Sequence, residues 1–388
     1  MKELRRKIGE EIRTRGPISF SRYMELCLYD EEFGYYARNA SQFGKAGDFY
    51  TSSDVHAVFG RLMARQFEEM WRALGSPSQI VVRELGPGRG LFARDVLDWS
   101  EKKFPQFSRA LQYELVERSA ALRERIEDAL HDYLTRGTAR LESGTATANA
   151  DLEGGTHGTS ELVPLSTKDV PVIVFANEFF DAIPVEVVST LGSLRIGCHN
   201  GRFVEEWAAG SAEELGFLDR YSVHPEEDER LEVPLLARAY MQGALTVEQG
   251  FFVMVDYGYT REEQLAGRHR GTVKAIRQHS ISADPYEAPG EQDITADVNF
   301  TALAAVASEL GWSTDKLVTQ SQFLLGIGEG NQFADAFEEC RLPQERAKVA
   351  LQLKHLVTPA GMGESFHVLV GGKGVESAGL AGLGFGRK

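Results

Sequence analysis

The sequence predicts an α/β chain built on a doubly wound, mostly parallel sheet, and three observations carry that prediction. Short apolar runs alternate with helix-period segments through the middle of the chain, as βαβ units do. Two runs, Val172-Ile173-Val174-Phe175-Ala176 and Phe251-Phe252-Val253-Met254-Val255, are apolar at every position, as strands covered on both faces must be. The stretch Val81-Val82-Arg83-Glu84-Leu85-Gly86-Pro87-Gly88-Arg89-Gly90 runs from β-branched residues to an acid, then turns through three glycines toward helix-face spacing at Leu91, Phe92, Val96 and Leu97. That is how the first βα turn of such a sheet is written.

Before this turn the chain reads as helical. Leu4, Ile8 and Ile12 recur at helical spacing, Gly16-Pro17 breaks the run, and Ser19 is placed to cap a helix holding Tyr23, Met24, Leu26 and Cys27. The cluster Phe33-Gly34-Tyr35-Tyr36 reads as core rather than a lid over a ligand. Residues 44–53 have loop composition, with a turn at Gly47-Asp48. A long amphipathic helix over about 55–74 ends at Gly75-Ser76-Pro77.

From there the alternation begins. A strand over Ile80–Leu85 leads to a helix over 92–103, then to a strand over 112–116 that ends at Glu117, and a helix over 119–133. Residues 144–166 are rich in Gly, Thr and Ala and read as loop. The apolar strand at 172–176 runs into Asn177-Glu178-Phe179-Phe180-Asp181-Ala182-Ile183-Pro184. Short strands over 185–207 are joined at His199-Asn200-Gly201, a hairpin signal. An acidic loop at 225–232 precedes a helix with Pro234 at its start. Hairpin and helix fall between two sheet strands, so they read as an insertion that shapes a substrate surface. After the strand at 251–255, residues 274–279 read as extended, 285–291 as loop, and 300–310 as helix. Residues 317–318 and 367–370 read as late edge strands. Helices over 332–340 and 345–356 would cover the active-site side or one face, and the glycine-rich tail 371–388 reads as frayed. The expected organisation is a helical extension (1–78), a nucleoside-binding half of the core (79–190), an inserted subdomain (191–250) and the second half of the core (251–388).

Composition narrows the function. The 388 residues carry a net charge of −15, with 43% hydrophobic and 26% charged residues, ordinary for a globular chain. No basic stripe is present, which disfavours a nucleic-acid partner. The three cysteines and nine histidines show no disulfide framework and no metal-ligand spacing. Residues 1–15 mix Lys and Arg with Glu3, Glu10 and Glu11, unlike a signal or transit peptide. No run approaches the ~18 apolar residues of a membrane span. The expectation is a cytoplasmic protein with no metal.

The glycine spacing selects the ligand. A dinucleotide turn is spaced G-x-G-x-x-G and gives backbone N–H groups to a pyrophosphate. Here the spacing is G-x-G-x-G, and Pro87 has no N–H to donate. Glu84 would repel a phosphate but suits a cation, so S-adenosylmethionine, with its sulfonium and ammonium, fits better than NAD. Glu117 at the end of the next strand can accept both ribose hydroxyls; its alternative reading is a solvated residue at a helix start. Asn177, Glu178 and Asp181 lie where a doubly wound sheet binds substrate; the alternative is a capping Asn177 and a solvated Asp181.

Several separated strings then resemble one family, the MidA / DUF185 proteins. They are Ser19-Phe20-Ser21-Arg22-Tyr23-Met24-Glu25-Leu26-Cys27-Leu28-Tyr29, running on through Asp30-Glu31-Glu32-Phe33-Gly34-Tyr35-Tyr36; GDFYTSSDVHAVFG at 47–60; ELGPGRG at 84–90; NEFFDAIPV at 177–185; VDYGY at 255–259; GEQDITADVNF at 290–300; and MGESFHVLV at 362–370. The resemblance implies a class I methyltransferase fold with a helical N-terminal extension and an inserted substrate subdomain. It implies S-adenosyl-L-methionine as cofactor and methylation of arginine nitrogen on a protein partner. The family includes a mitochondrial complex I assembly factor, which suggests a respiratory NADH dehydrogenase subunit as that partner, with the mitochondrial matrix as the compartment of eukaryotic relatives. Cofactor binding would fall to Glu84, Gly86, Gly88, Gly90, Glu117 and Asp48. Catalysis would fall to Glu178, Asp181 and Asn177, with Asp48 and Tyr257 as weaker choices. Two departures stand out. Ser53-Asp54 replaces the family's Pro-Glu, and residues 137–168 are longer and less patterned than usual, leaving Asp151-Leu152 as the candidate adenine contact. A small-amine acceptor, or a donor-binding assembly factor without catalysis, remains open on these residues.

Overall fold

The computed structural model describes residues 2–39, 57–144, 170–277, 280–282 and 284–385. The chain opens with helices Lys2–Arg15 and Phe20–Tyr29, separated by the two-residue strand β1 (Ile18–Ser19). Ser19 caps the second helix as expected, its side chain accepting the Arg22 N–H at 3.1 Å. Helix Ala57–Ala73 then leads to β2 (Ile80–Leu85), helix Leu91–Lys103, β3 (Leu111–Glu117), helix Ala120–Ala129 and β4 (Ala139–Ser143). After β5 (Val172–Asn177) come β6 (Glu186–Ser189), β7 (Gly192–His199), β8 (Arg202–Ala208), β9 (Leu231–Val233) and β10 (Gly250–Tyr259). The remaining strands are β11 (Lys274–Arg277), β12 (Ser280–Ser282), β13 (Asp293–Thr295), β14 (Val298–Asn299), β15 (Ser313–Thr314), β16 (Val318–Thr319) and β17 (Phe366–Lys373).

The main sheet runs β15-β17-β10-β5-β2-β3-β4, with β16 also on β17 and β14 on β10. Strands β4, β3, β2, β5 and β10 are parallel, and β17 is antiparallel to β10. From β2 the chain builds outward through β3 and β4; from β5 it builds the other way through β10. The strand order therefore switches between β2 and β5, and a crevice opens beyond their carboxyl ends.

Alternation along β5 explains its continuous apolar run. Ile173 and Phe175 enter the core on one face with helices Ala57–Ala73 and Leu91–Lys103, and Phe175 stacks on Phe92 at 4.6 Å. Val172, Val174 and Ala176 enter the core on the other face with helices Leu235–Ala244 and Phe300–Glu309. A strand buried on both faces has no room for a polar residue before its end.

A second, antiparallel sheet runs β1-β7-β6-β9, with β8 on β7. The β7–β8 hairpin turns at Asn200 and Gly201, both with positive φ (51° and 75°), as a tight primed turn requires. This sheet draws β1 from the N-terminal segment and β6 from before residue 190, so it reaches across the N-terminal boundary of the expected insertion. Its apolar face packs against the first two helices through Leu4, Ile8, Leu194 and Ile196.

Five expectations need correction. The helix expected over 119–133 is two, Ala120–Ala129 and His131–Thr135, broken at Leu130. Residues 139–143, lost in the unpatterned stretch, form the parallel strand β4. Helix Gln320–Glu329 was not anticipated; it packs, with Pro343–Val357, on the face held by Phe323 and Leu324. The glycine-rich tail is not frayed where it is described. Gly371 and Gly372 lie inside β17, Leu380 and Leu383 are buried, and Gly382 N–H donates to Gln66 at 3.0 Å. A Cβ at Gly371 would stand 2.3 Å from the Phe252 ring. That glycine marks close packing rather than mobility. Nor is β17 an edge strand: β10 pairs on one side of it and β15 and β16 on the other.

Candidate active site

One cavity lies beyond the carboxyl ends of β2, β3 and β5, at the switch point. It collects Glu84, Gly86, Gly88, Glu117, Asn177, Glu178 and Asp181, seven positions singled out in the sequence. Asp48 and the Asp151-Leu152 pair lie outside the described residues. Gly90 is not among the lining residues. It precedes helix Leu91–Lys103 at φ 71°, and its missing Cβ faces Leu130 and Ile126 at 3.3–3.4 Å. Its neighbours Arg89 and Leu91 do line the cavity, and its bare Cα lets the helix start lie against Leu130 and Ile126.

The half of the cavity over β2 and β3 holds two buried carboxylates. Glu84, the fifth residue of β2, accepts the Tyr113 hydroxyl at 2.9 Å. Burial pushes its pKa up to about 8; the Tyr113 bond opposes this and the Glu117 charge adds to it. Glu117, the last residue of β3, accepts the Ser119 N–H at 2.7 Å, and burial raises it to about 7. Between them Gly86 and Gly88 turn the chain at φ 62° and 55°. A side chain at Gly88 would enter open space, whereas at Gly86 it would stand 2.6 Å from the Phe179 ring. A pair of buried acids beside bare backbone suits a ligand with a positive charge and hydroxyl donors, and is hostile to a phosphate.

The half over β5 is built on the turn that follows it. Glu178 takes a left-handed φ of 51°, a strained conformation for a residue with a side chain, and its Oε1 accepts the Asn177 amide at 3.1 Å. Phe179 leaves this turn to lie on Gly86 and meets Phe180 and Tyr240 edge-on at 5.1 and 5.8 Å. Asp181 is buried and accepts the Tyr257 hydroxyl at 2.6 Å. Its Oδ1 is buried with no hydrogen-bond partner among the described residues. Burial raises its pKa to about 6, against the Tyr257 bond. Losing that bond raises it further. Tyr257→Phe is therefore expected to move the acid limb of any activity that needs the Asp181 anion to higher pH, read from rate–pH profiles of the two proteins.

The N-terminal helices close the cavity. Tyr29 and Tyr36 line it, with their rings 5.2 Å apart, and the Tyr29 hydroxyl donates to Ala182 O at 2.9 Å. Arg118 lies 5.0 Å over the Tyr29 ring and pairs with Glu25 at 3.0 Å. The aromatic cluster expected to be core is therefore divided: Tyr35 is buried, while Tyr36 is cavity wall. Sequence reasoning also missed Asp293, which lines the cavity from β13, and Asp256, which holds the turn after β5. Both lie inside strings that carried the family resemblance, and that was their only signal. Tyr257, a weaker choice in the sequence, is in direct contact with Asp181.

The sequence profile of a family described as "Putative S-adenosyl-L-methionine-dependent methyltransferase" matches residues 62–318. Among curated proteins, the chain is 29% identical over 405 residues to the mitochondrial protein arginine methyltransferase NDUFAF7 homolog of Drosophila melanogaster, covering 97% of this chain and 86% of that one. It is 28% identical over 388 residues to mitochondrial protein arginine methyltransferase NDUFAF7 of Homo sapiens, covering 93% and 81%. A Burkholderia thailandensis protein solved with S-adenosyl-homocysteine bound superposes with a TM-score of 0.78 at 26% identity, covering 98% of this chain and 94% of that one. Among the described residues, no helix is long and apolar enough to cross a membrane.

Proposed function

The chain belongs to this family of S-adenosyl-L-methionine-dependent methyltransferases, and from that premise we propose that it methylates an arginine nitrogen of a protein partner. One observation carries the proposal: Glu178 and Asp181 share a single cavity with Glu84 and Glu117, so acids meet the donor and the acceptor side by side. S-adenosyl-L-methionine supplies an electrophilic methyl group on a sulfonium, so the protein's task is in-line placement. Glu84, Glu117 and the bare backbone at Gly86 and Gly88 would hold the donor. A guanidinium stays protonated at neutral pH and is recognised by planar, bidentate pairing with carboxylates. Glu178 and Asp181 would orient it, with Asn177 holding the Glu178 carboxylate. The names of the two curated relatives support arginine as the acceptor.

The test is methylation of a lysate lacking this protein with labelled donor, followed by mass-spectrometric mapping. Methylarginine on a discrete protein is the expected result. Label confined to small molecules, or none, would overturn the assignment.

Donor binding also has a proton signature. Glu84 and Glu117, at about 8 and about 7, are partly protonated at pH 7 in the ligand-free protein. A cation bound beside them favours their anions and lowers both values. Titration calorimetry at pH 7 in buffers of different ionisation enthalpy is expected to show proton release on binding, reduced in Glu84→Gln to the share that Glu117 supplies. The same shifts set stability. A carboxyl raised in the folded state is stabilised while protonated, so the contribution is present below about pH 4.5 and lost as pH rises toward 8.

A further inference from the structure

We propose that Asp256 is the positioning residue of the acceptor half: its carboxylate anchors the turn that aims Glu178 and Asp181 and seats Phe179 on Gly86, without touching substrate. The inference rests on the reading of that half as the acceptor site. Asp256 lies within β10, one strand over from β5, and is 1% exposed. Its Oδ2 accepts three consecutive backbone N–H groups, from Phe179 at 3.2 Å, Phe180 at 3.0 Å and Asp181 at 3.3 Å. Its Oδ1 accepts the Tyr257 N–H at 3.0 Å.

Three successive N–H groups converging on one oxygen form a small anion-binding concavity. The left-handed Glu178 makes that convergence possible, because it reverses the chain just before Phe179. Here the protein fills the concavity with its own Asp256 oxygen, and the three N–H bonds work against the burial and the neighbouring Asp181 and Glu178 charges that push this carboxyl well above the usual carboxylate range. The consequences are local. The Glu178 N–H is held separately by Val255 O at 2.9 Å, so the start of the turn belongs to the sheet. From Phe179 to Asp181 the backbone depends on Asp256. The next residue along β10, Tyr257, holds the Asp181 side chain. Asp256 and Tyr257 thus place backbone and side chain of the same segment.

Two variants test this. Asp256→Ala removes every acceptor. Asp256→Asn keeps one oxygen that can face the three N–H groups and rescues in part, which also covers the case in which the alanine variant fails to fold. Hydrogen exchange of the Phe179, Phe180 and Asp181 amides is expected to rise at least tenfold in Asp256→Ala and less in Asp256→Asn, with β2 and β5 amides unchanged. Methyl transfer into the lysate acceptor is expected to fall about 100-fold in kcat in Asp256→Ala and about tenfold in Asp256→Asn. KM and the affinity for S-adenosylhomocysteine should stay within threefold. Unchanged exchange at residues 179–181 would overturn the proposal. So would a rise in exchange throughout the sheet accompanied by loss of S-adenosylhomocysteine binding, since Asp256 would then support the fold at large. If the unaltered protein transfers no methyl to arginine, the arginine reading fails, and the exchange measurement alone decides the role of Asp256.

Discussion

Glu178→Gln is expected to lower methyl transfer by about 10²–10³-fold, the usual loss when one charged group aimed at the reacting centre is removed. The substitution keeps the volume of the side chain and leaves the backbone where it is. What it removes is the charge proposed to pair with a guanidinium, while its remaining oxygen can still accept the Asn177 amide. Glu178 lies on the acceptor half, so affinity for S-adenosylhomocysteine, measured by titration calorimetry, should stay within threefold of the parent. Glu178→Gly is the sharper companion. It relieves a left-handed conformation that costs a residue with a Cβ about 1–2 kcal/mol. The glycine variant should therefore be inactive while its melting temperature holds or rises. Normal turnover in Glu178→Gln would remove Glu178 from the site chemistry.

The second large effect separates the two glycines of the donor turn. Gly86→Ala places a methyl group 2.6 Å from the Phe179 ring, at a φ of 62°. Overpacking and backbone strain together give about 2–5 kcal/mol. The ring that must move belongs to the acceptor turn, so donor binding, methyl transfer and melting temperature should fall together. Gly88→Ala meets nothing within 4 Å, at a φ of 55°. Its stability cost is confined to the backbone, about 1–2 kcal/mol. Its added methyl enters the cavity where the donor is proposed to lie, so affinity should fall at least tenfold for a smaller loss of melting temperature. Thermal melts and donor titrations on the two variants distinguish them. Equal effects on stability would mean that the contact between Phe179 and Gly86 does not couple the two halves.

That contact shows where sequence reading ended. The strand Ile80–Leu85 was legible to the residue, because β-branched residues, an acid and a glycine turn leave little choice of conformation. Glu84 and Glu117 were found as strand-end acids. Asn177, Glu178 and Asp181 were found as polar residues that end an apolar run. Asp256 ends a similar run but was passed over, since nothing local tells a carboxylate that meets a ligand from one that meets the backbone of a neighbouring strand. Tyr36 looked like core because clustered aromatic residues usually are, and Tyr29 drew no separate reading. Only the packing of the N-terminal helices against the second sheet carries them to the cavity. The tail was misread because glycine signals mobility in a sequence and close approach in a sheet, and Gly371 serves the second purpose against Phe252.

The sequence by itself determined the fold class, the glycine turn after β2 and the acids at the ends of the strands. These rest on short-range constraints: the period of apolar residues, the φ values open to glycine, and the N–H that proline lacks. The tertiary structure decided which acids share one cavity, which glycine faces the ligand and which faces a helix, and what holds the acceptor turn. Those depend on contacts between residues far apart in the chain, such as Asp256 with Phe180 and Tyr29 with Ala182. Local pattern carries no record of such pairings, because only the strand order of the sheet brings the partners within reach of a hydrogen bond.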